Sequence, residues 1–92
     1  MGLANDSAIV DFVEMNRQWK REGESLVANL EFKDFAESMT FVNQVANKAE
    51  QANHHPDIDI RWNKVRLVLS THSEGGITQK DLDLARSISL LA

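Results

Sequence analysis

All the histidines of the chain are His54, His55 and His72. Imidazole is the side chain best suited to moving protons near neutral pH, because its ordinary pKa is ~6.5. Two of the three stand side by side in the stretch Glu50-Gln51-Ala52-Asn53-His54-His55-Pro56-Asp57. Glu50 precedes His54 at the i,i+4 spacing of one helical turn, where a carboxylate can orient an imidazole. Asp81 supplies a further acid on the first turn of the last predicted helix, either reaching the same place or only capping that helix. Together these residues have the makings of a general acid/base site. Each also has a plainer reading: His54 as a helix C-terminal residue meeting the helix dipole, His55 as a partner in a local turn hydrogen bond, and His72 as a strand-end residue with no task. Three histidines and a glutamate could also hold zinc tetrahedrally. Against that, adjacent His54 and His55 should point in divergent directions, and neither His-Glu-x-x-His nor a spaced zinc pattern is present.

The elements that must position these groups follow from hydrophobic period. Asn5 to about Arg17 predicts a helix with Ile9, Phe12, Val13 and Asn16 on one face. Gln18–Arg21 is a short strand centred on Trp19, the tetrad Glu22-Gly23-Glu24-Ser25 a turn, and 26–32 a strand with Leu26, Ala28, Leu30 and Phe32 on one side. Asp34 to Asn53 is the strongest helix, with a stripe of Phe35, Met39, Val42, Ala46 and Ala49 widened by Phe41 and Val45, and with Asp34 and Glu37 at capping-box spacing. Pro56 disfavours helical backbone at His55, so the helix must end before it.

Beyond Pro56 the pattern alternates. Ile58, Ile60 and Trp62 share one face, as do Val65, Leu67, Leu69 and Thr71, and Asn63-Lys64 is the natural turn of the hairpin. With Trp62 facing Val65, His55 falls opposite His72, and antiparallel partners stand ~5 Å apart. That register would gather the histidines at one end of the hairpin. After a loop at 73–76, Thr78 and Asp81 repeat the capping-box spacing, and Ile77 with Leu82 that of a hydrophobic staple. Leu82, Ala85 and Ile88 then line a last helix reaching about Leu91. The order α-β-β-α-β-β-α predicts an α+β fold, a four-stranded antiparallel sheet with three helices packed on one face.

Ninety-two residues, 42% hydrophobic and 26% charged, predict one small globular domain spanning 1–92. The absence of cysteine excludes disulfides, thiolate catalysis and any sulfur-dependent zinc site. A net charge of -4 argues against broad binding to a phosphate backbone. No stretch approaches the ~20 apolar residues of a membrane span, and the N-terminal sequence lacks the basic region of a secretion signal. A cytoplasmic location is the expectation.

The residues carry a resemblance that runs from Trp19 through the last helix. The pieces are Phe32-Lys33-Asp34-Phe35, Ala49-Glu50, His54-His55-Pro56-Asp57, Trp62-Asn63-Lys64-Val65, Ser70-Thr71-His72, Gly75-Gly76-Ile77-Thr78 and Asp81. In these the chain resembles the pterin-4a-carbinolamine dehydratases, also called 4a-hydroxytetrahydrobiopterin dehydratases. Trp62 stands where Tyr or Phe is more common and Ile77 where Leu is usual, which touches pocket shape and not the reaction.

The resemblance implies a lyase of tetrahydrobiopterin recycling. It would remove water from 4a-hydroxytetrahydropterin to give quinonoid dihydropterin. It implies His54, His55 and His72 as catalytic, with His54 and His72 as the acid/base pair and His55 on the hydroxyl. Glu50, Pro56, Ser70, Thr71 and Asp81 would bind the pterin. It implies no metal and no organic cofactor, a small-molecule pterin substrate, and a homodimer or homotetramer. Some relatives are partners of a transcription factor, binding protein and not nucleic acid. The rival expectation is therefore a protein-interaction or coactivator module with a vestigial site. A further rival, a metal-dependent hydrolase, predicts stoichiometric zinc.

Overall fold

The computed structural model describes residues 2–91; Met1 and Ala92, the ends of the expected domain, lie outside them. The elements are α1 (Asp6–Met15), β1 (Trp19–Glu22), β2 (Ser25–Glu31), α2 (Phe35–Ala52), β3 (Asp57–Arg61), β4 (Lys64–Leu69), a 3-10 turn His72–Glu74, and α3 (Gln79–Ser89). The strands form one antiparallel sheet in the order β1-β2-β4-β3. The three helices pack on one face of it, as the α-β-β-α-β-β-α pattern predicts.

Strand alternation sets the core. Leu26 and Ala28 of β2 and Val65, Leu67 and Leu69 of β4 are buried under the helices, where they meet Ile9 and Phe12 of α1 and Leu82, Ala85 and Ile88 of α3. Trp19 is wholly buried at the start of β1, and its indole Nε1–H donates to Ser89 Oγ at 3.0 Å. A large aromatic so placed anchors the fold, and its removal typically costs about 3–5 kcal/mol. The β1–β2 turn is tight, with Glu22 opposite Ser25 and Gly23 at φ 60°, a backbone conformation that glycine adopts without strain.

Two expectations are corrected. The first concerns α2. Its buried residues are Ser38, Phe41, Val42, Val45 and Ala49, whereas Phe35 and Ala46 are exposed and Met39 is half-buried. Two overlapping stripes share Val42 and Ala49, and both have helical period. The rest of the core selects between them: Phe41, Val42, Val45 and Ala49 join the buried cluster, and the Phe41 ring also meets the Phe32 ring with centroids 5.0 Å apart. At its start, Asp34 Oδ1 accepts from the Glu37 N–H at 2.9 Å, while Glu37 reaches back to the Lys33 N–H rather than to that of Asp34.

The second concerns the β3–β4 hairpin. Arg61 pairs with Lys64 and Ile60 with Val65, so the turn residues are Trp62 and Asn63. Continued outward, this register sets His55 across from Ser70, not from His72. The change moves each partner by two residues. It therefore keeps every side chain on its face, and alternation is blind to it. The turn is held from outside the hairpin: the Phe32 N–H donates to the Asn63 carbonyl at 2.8 Å, and Asn63 Nδ2 donates to the Phe32 carbonyl at 3.1 Å. Trp62 accepts a left-handed φ of 52° and stands 63% exposed. For a residue with a Cβ that conformation costs about 1–2 kcal/mol.

Candidate active site

The C-terminus of α2 sets the two adjacent histidines. Asn53 adopts the left-handed conformation, with φ 50° and ψ 43°. Its N–H donates to the Glu50 carbonyl at 3.2 Å, and the His54 N–H donates to the Ala49 carbonyl at 3.1 Å. This is a Schellman motif with asparagine in the place that glycine usually takes. It ends the helix at Ala52, three residues before His55, and swings the chain off the helix axis, so that His54 and His55 leave in different directions.

Each histidine then finds its own carboxylate. His54 Nε2 lies 2.5 Å from Asp81 Oδ1, and His55 Nε2 lies 2.5 Å from Glu50 Oε2. The expected pairing of Glu50 with His54 is thus replaced by one with His55. The i,i+4 geometry holds only while the helix continues, and the left-handed residue at 53 interrupts it.

The two pairs differ in surroundings. The Asp81 side chain is fully buried and that of His54 is 13% exposed, against 76% for Glu50 and 56% for His55. Burying a carboxylate is tolerable only when its oxygens are hydrogen-bonded. Asp81 Oδ2 accepts from Thr71 Oγ1 at 2.7 Å and from the Thr78 N–H at 2.9 Å, and Oδ1 faces His54. Asp81 therefore both caps α3, in the capping box formed with Thr78, and reaches the histidine. The two readings of Asp81 were never exclusive, because a carboxylate has two oxygens.

Thr71 arrives there by strand parity. Val65, Leu67, Leu69 and Thr71 are buried in succession although β4 itself ends at Leu69. A short antiparallel bridge from Thr71 to Gly76 then closes a loop, with the Thr71 N–H donating to the Gly76 carbonyl at 2.8 Å. His72 heads the 3-10 turn on that loop, which closes through Gly75 at φ 75°. It is exposed, and among the described residues its ring has no hydrogen-bond or ion-pair partner. It is a loop residue beside Thr71, not the strand end expected.

Of the remaining candidates, Ser70 Oγ donates to the Glu24 carbonyl at 2.9 Å, tying β4 to the β1–β2 turn, and Pro56 is half-buried between the histidines and β3. A small cavity of about 160 Å³ opens beside His54, lined by Ala52, Lys80, Asp83, Leu84 and Ser87. Among the described residues, no three His, Asp or Glu side chains are grouped to share a metal ion. Asn53 and Thr78 were missed as contributors. An asparagine three residues before a proline, at the end of a helical stripe, was the available signal for the first. The capping-box spacing already marked the second.

This arrangement can do proton chemistry. One imidazole is fixed by a buried carboxylate, a second is held by a solvent-facing one, and a third sits on the loop that follows Thr71. No helix among the described residues is long and apolar enough to cross a membrane.

Known proteins resemble the chain along nearly its whole length. The family model for pterin 4 alpha carbinolamine dehydratase matches residues 3–91. A protein of Acidobacterium capsulatum named for that dehydratase is 56% identical over 91 residues, covering 99% of both chains. One of Thermomicrobium roseum, named likewise, is 48% identical over 92 residues, covering 100% of this chain and 99% of its own. The crystal structure of a transcriptional coactivator/pterin dehydratase from Brucella melitensis superposes with a TM-score of 0.92 at 30% identity, covering 99% of both chains. A pterin dehydratase-like RuBisCO assembly factor of the alpha-carboxysome shares the fold alone, at a TM-score of 0.69 and 22% identity over 82% of this chain and 89% of its own. By the extent of these matches, the chain belongs to the pterin 4 alpha carbinolamine dehydratase family.

Proposed function

We propose that the protein is a 4a-hydroxytetrahydrobiopterin dehydratase, a carbon–oxygen lyase working by histidine general acid/base catalysis. The observation that carries this reading is the buried Asp81 carboxylate given over, on one oxygen, to His54. A chain that needed only a cap for α3 would have no use for a second, buried contact to an imidazole.

The reaction converts a 4a-hydroxytetrahydropterin to a quinonoid dihydropterin and water. The N5–H bond breaks, its electrons form the C4a=N5 bond, and the C4a–O bond breaks as the hydroxyl leaves with a proton. One proton is taken and one is given, so the enzyme's proton count is unchanged and no oxidant or reductant is needed; proton exchange with solvent water then returns each imidazole to its starting form. His54 and His72 exchange these two protons. Asp81 offsets the positive charge that develops on the His54 ring, as a buried aspartate does in a catalytic triad. His55, steadied by Glu50, holds the departing hydroxyl. Ring nitrogens already push electrons towards C4a, so positioned proton transfer, typically worth ~10²–10⁴-fold, is what the protein needs to add.

The test generates the 4a-hydroxytetrahydropterin in situ and follows its dehydration with the wild type and with the His54→Ala, His72→Ala double variant. Acceleration by the wild type, retained with a chelator present and lost in the double variant, is the expected result. A folded wild type that leaves the spontaneous rate unchanged would sink the reading and return the fold to the role of an interaction module. The reading includes self-association, as a homodimer or homotetramer. β3 is an edge strand whose inward-facing Ile58 and Ile60 are only partly covered, and exposed Trp62 follows it. Such edges are commonly protected by assembly. Sedimentation equilibrium that returns a monomer at micromolar concentration would remove that part.

A further inference from the structure

The geometry points to Thr78 as a positioning residue that, through Thr71 and Asp81, holds neutral His54 with its proton on Nε2 and leaves Nδ1 as the nitrogen that exchanges protons with substrate. The inference rests on the dehydratase reading for the word substrate, but its tautomer can be measured without it.

The direction of the hydrogen bonds follows from counting protons. Thr71 has one hydroxyl proton, and at 2.7 Å it goes to Asp81 Oδ2. Thr71 Oγ1 and Thr78 Oγ1 are 2.8 Å apart. With the Thr71 proton committed, Thr78 must be the donor in that contact. Its alternative acceptor, Asp81 Oδ2, is 3.5 Å away, at the limit of a hydrogen bond. The result is a one-way chain from Thr78 to Thr71 to Asp81 Oδ2.

That oxygen also accepts the Thr78 N–H at 2.9 Å and is therefore fully used. Oδ1 is left to a single partner, His54 Nε2. A carboxylate oxygen so placed can only accept, so the ring must present an N–H there. In the neutral ring the other nitrogen, Nδ1, then carries the free lone pair. Thr78 and Asp81 are fully buried and Thr71 nearly so, so water does not compete readily for these bonds. Without the Thr78 hydroxyl, the Thr71 hydroxyl no longer has a donor that fills its lone pair and directs its proton. Asp81 is then less firmly oriented, and so is the tautomer it selects.

The test uses 15N-labelled histidine in the full chain at alkaline pH, where the nitrogen shifts of a neutral ring report its tautomer, together with dehydration kinetics. In the wild type, His54 should carry its proton on Nε2. Thr78→Val removes the hydroxyl at nearly constant shape. It should populate the other tautomer and lower kcat about 10-fold with KM little changed, well inside the ~10²-fold that misplacing a catalytic group can cost. Thr78→Ser restores the hydroxyl and should restore both readouts. Thr71→Val cuts the same chain one link later and should give the same tautomer shift should Thr78→Val not fold.

A wild-type His54 with its proton on Nδ1 would overturn the proposal. So would a folded Thr78→Val protein with wild-type tautomer and kcat, or a Thr78→Ser protein as impaired as Thr78→Val. A wild type with no dehydratase activity but the expected spectra would break the dehydratase reading alone.

Discussion

Two histidine–carboxylate pairs stand one residue apart in this chain, at the same 2.5 Å separation, and they are not the same kind of object. His55–Glu50 lies in water. An exposed pair of that sort is worth little, commonly about 0–1 kcal/mol, and its partners can part and meet again as a ligand arrives. His54–Asp81 lies inside, with the carboxylate at zero exposure and three donors around it. Breaking such a pair from one side leaves a buried group uncompensated, which typically costs about 3–5 kcal/mol. Distance alone does not distinguish the two; burial and the count of satisfied oxygens do. The buried pair is suited to hold one geometry through a reaction, and the exposed pair to adjust to what binds.

Substitutions should separate the pairs, and the largest effect belongs to Asp81. Asp81→Ala leaves Thr71, the Thr78 N–H and His54 without their acceptor, and should lower stability by about 3–5 kcal/mol, read from urea unfolding. A loss below about 1 kcal/mol would show that the buried carboxylate is not held as described. Asp81→Asn is the sharper probe. Its carbonyl oxygen can still serve Thr71 and the α3 cap, while its amide presents N–H to the His54 ring and selects the wrong tautomer. Most of the stability should survive, while kcat falls by about 10²–10⁴, as for the equivalent change in a catalytic triad. Normal turnover in that variant would reduce Asp81 to a cap.

Next in size is the hinge that separates the pairs. Asn53→Val places a β-branched side chain at φ 50° and should cost about 1–2 kcal/mol. Asn53→Gly should be close to neutral, because glycine adopts that backbone freely. Equal losses for the two would mean that the left-handed cap is unimportant. The smallest effect is at Glu50. Glu50→Gln should change stability by no more than about 0.5 kcal/mol and lower turnover by less than about 10-fold. A loss matching that of Asp81→Asn would erase the contrast between the exposed and buried pairs.

Much of this was legible in the sequence because it is local. The period change at His54-His55-Pro56, the alternation from Val65 to Thr71 and the spacing of Thr78 and Asp81 each depend on a few neighbouring residues, and each appears in the structure at the place they indicate. The α+β order follows from the same signals. The inward parity of Thr71, the step that brings a hydroxyl to Asp81, can be read from strand alternation alone.

What tertiary structure decided is what local pattern leaves degenerate. Phe35-Met39-Ala46 and Phe41-Val45 are both helical stripes, and only packing against the rest of the core selects the second. A hairpin turning at Asn63-Lys64 and one turning at Trp62-Asn63 bury the same faces, and the observed turn is the one that Phe32 holds through Asn63. Which histidine takes which carboxylate depends on one left-handed residue at 53 and on an aspartate 27 positions beyond His54. Sequence determines which residues are apolar, which can cap and which carry protons, since those properties belong to side chains and their near neighbours. Partners far apart in the chain meet only when the core closes, and that closure selected the buried pair.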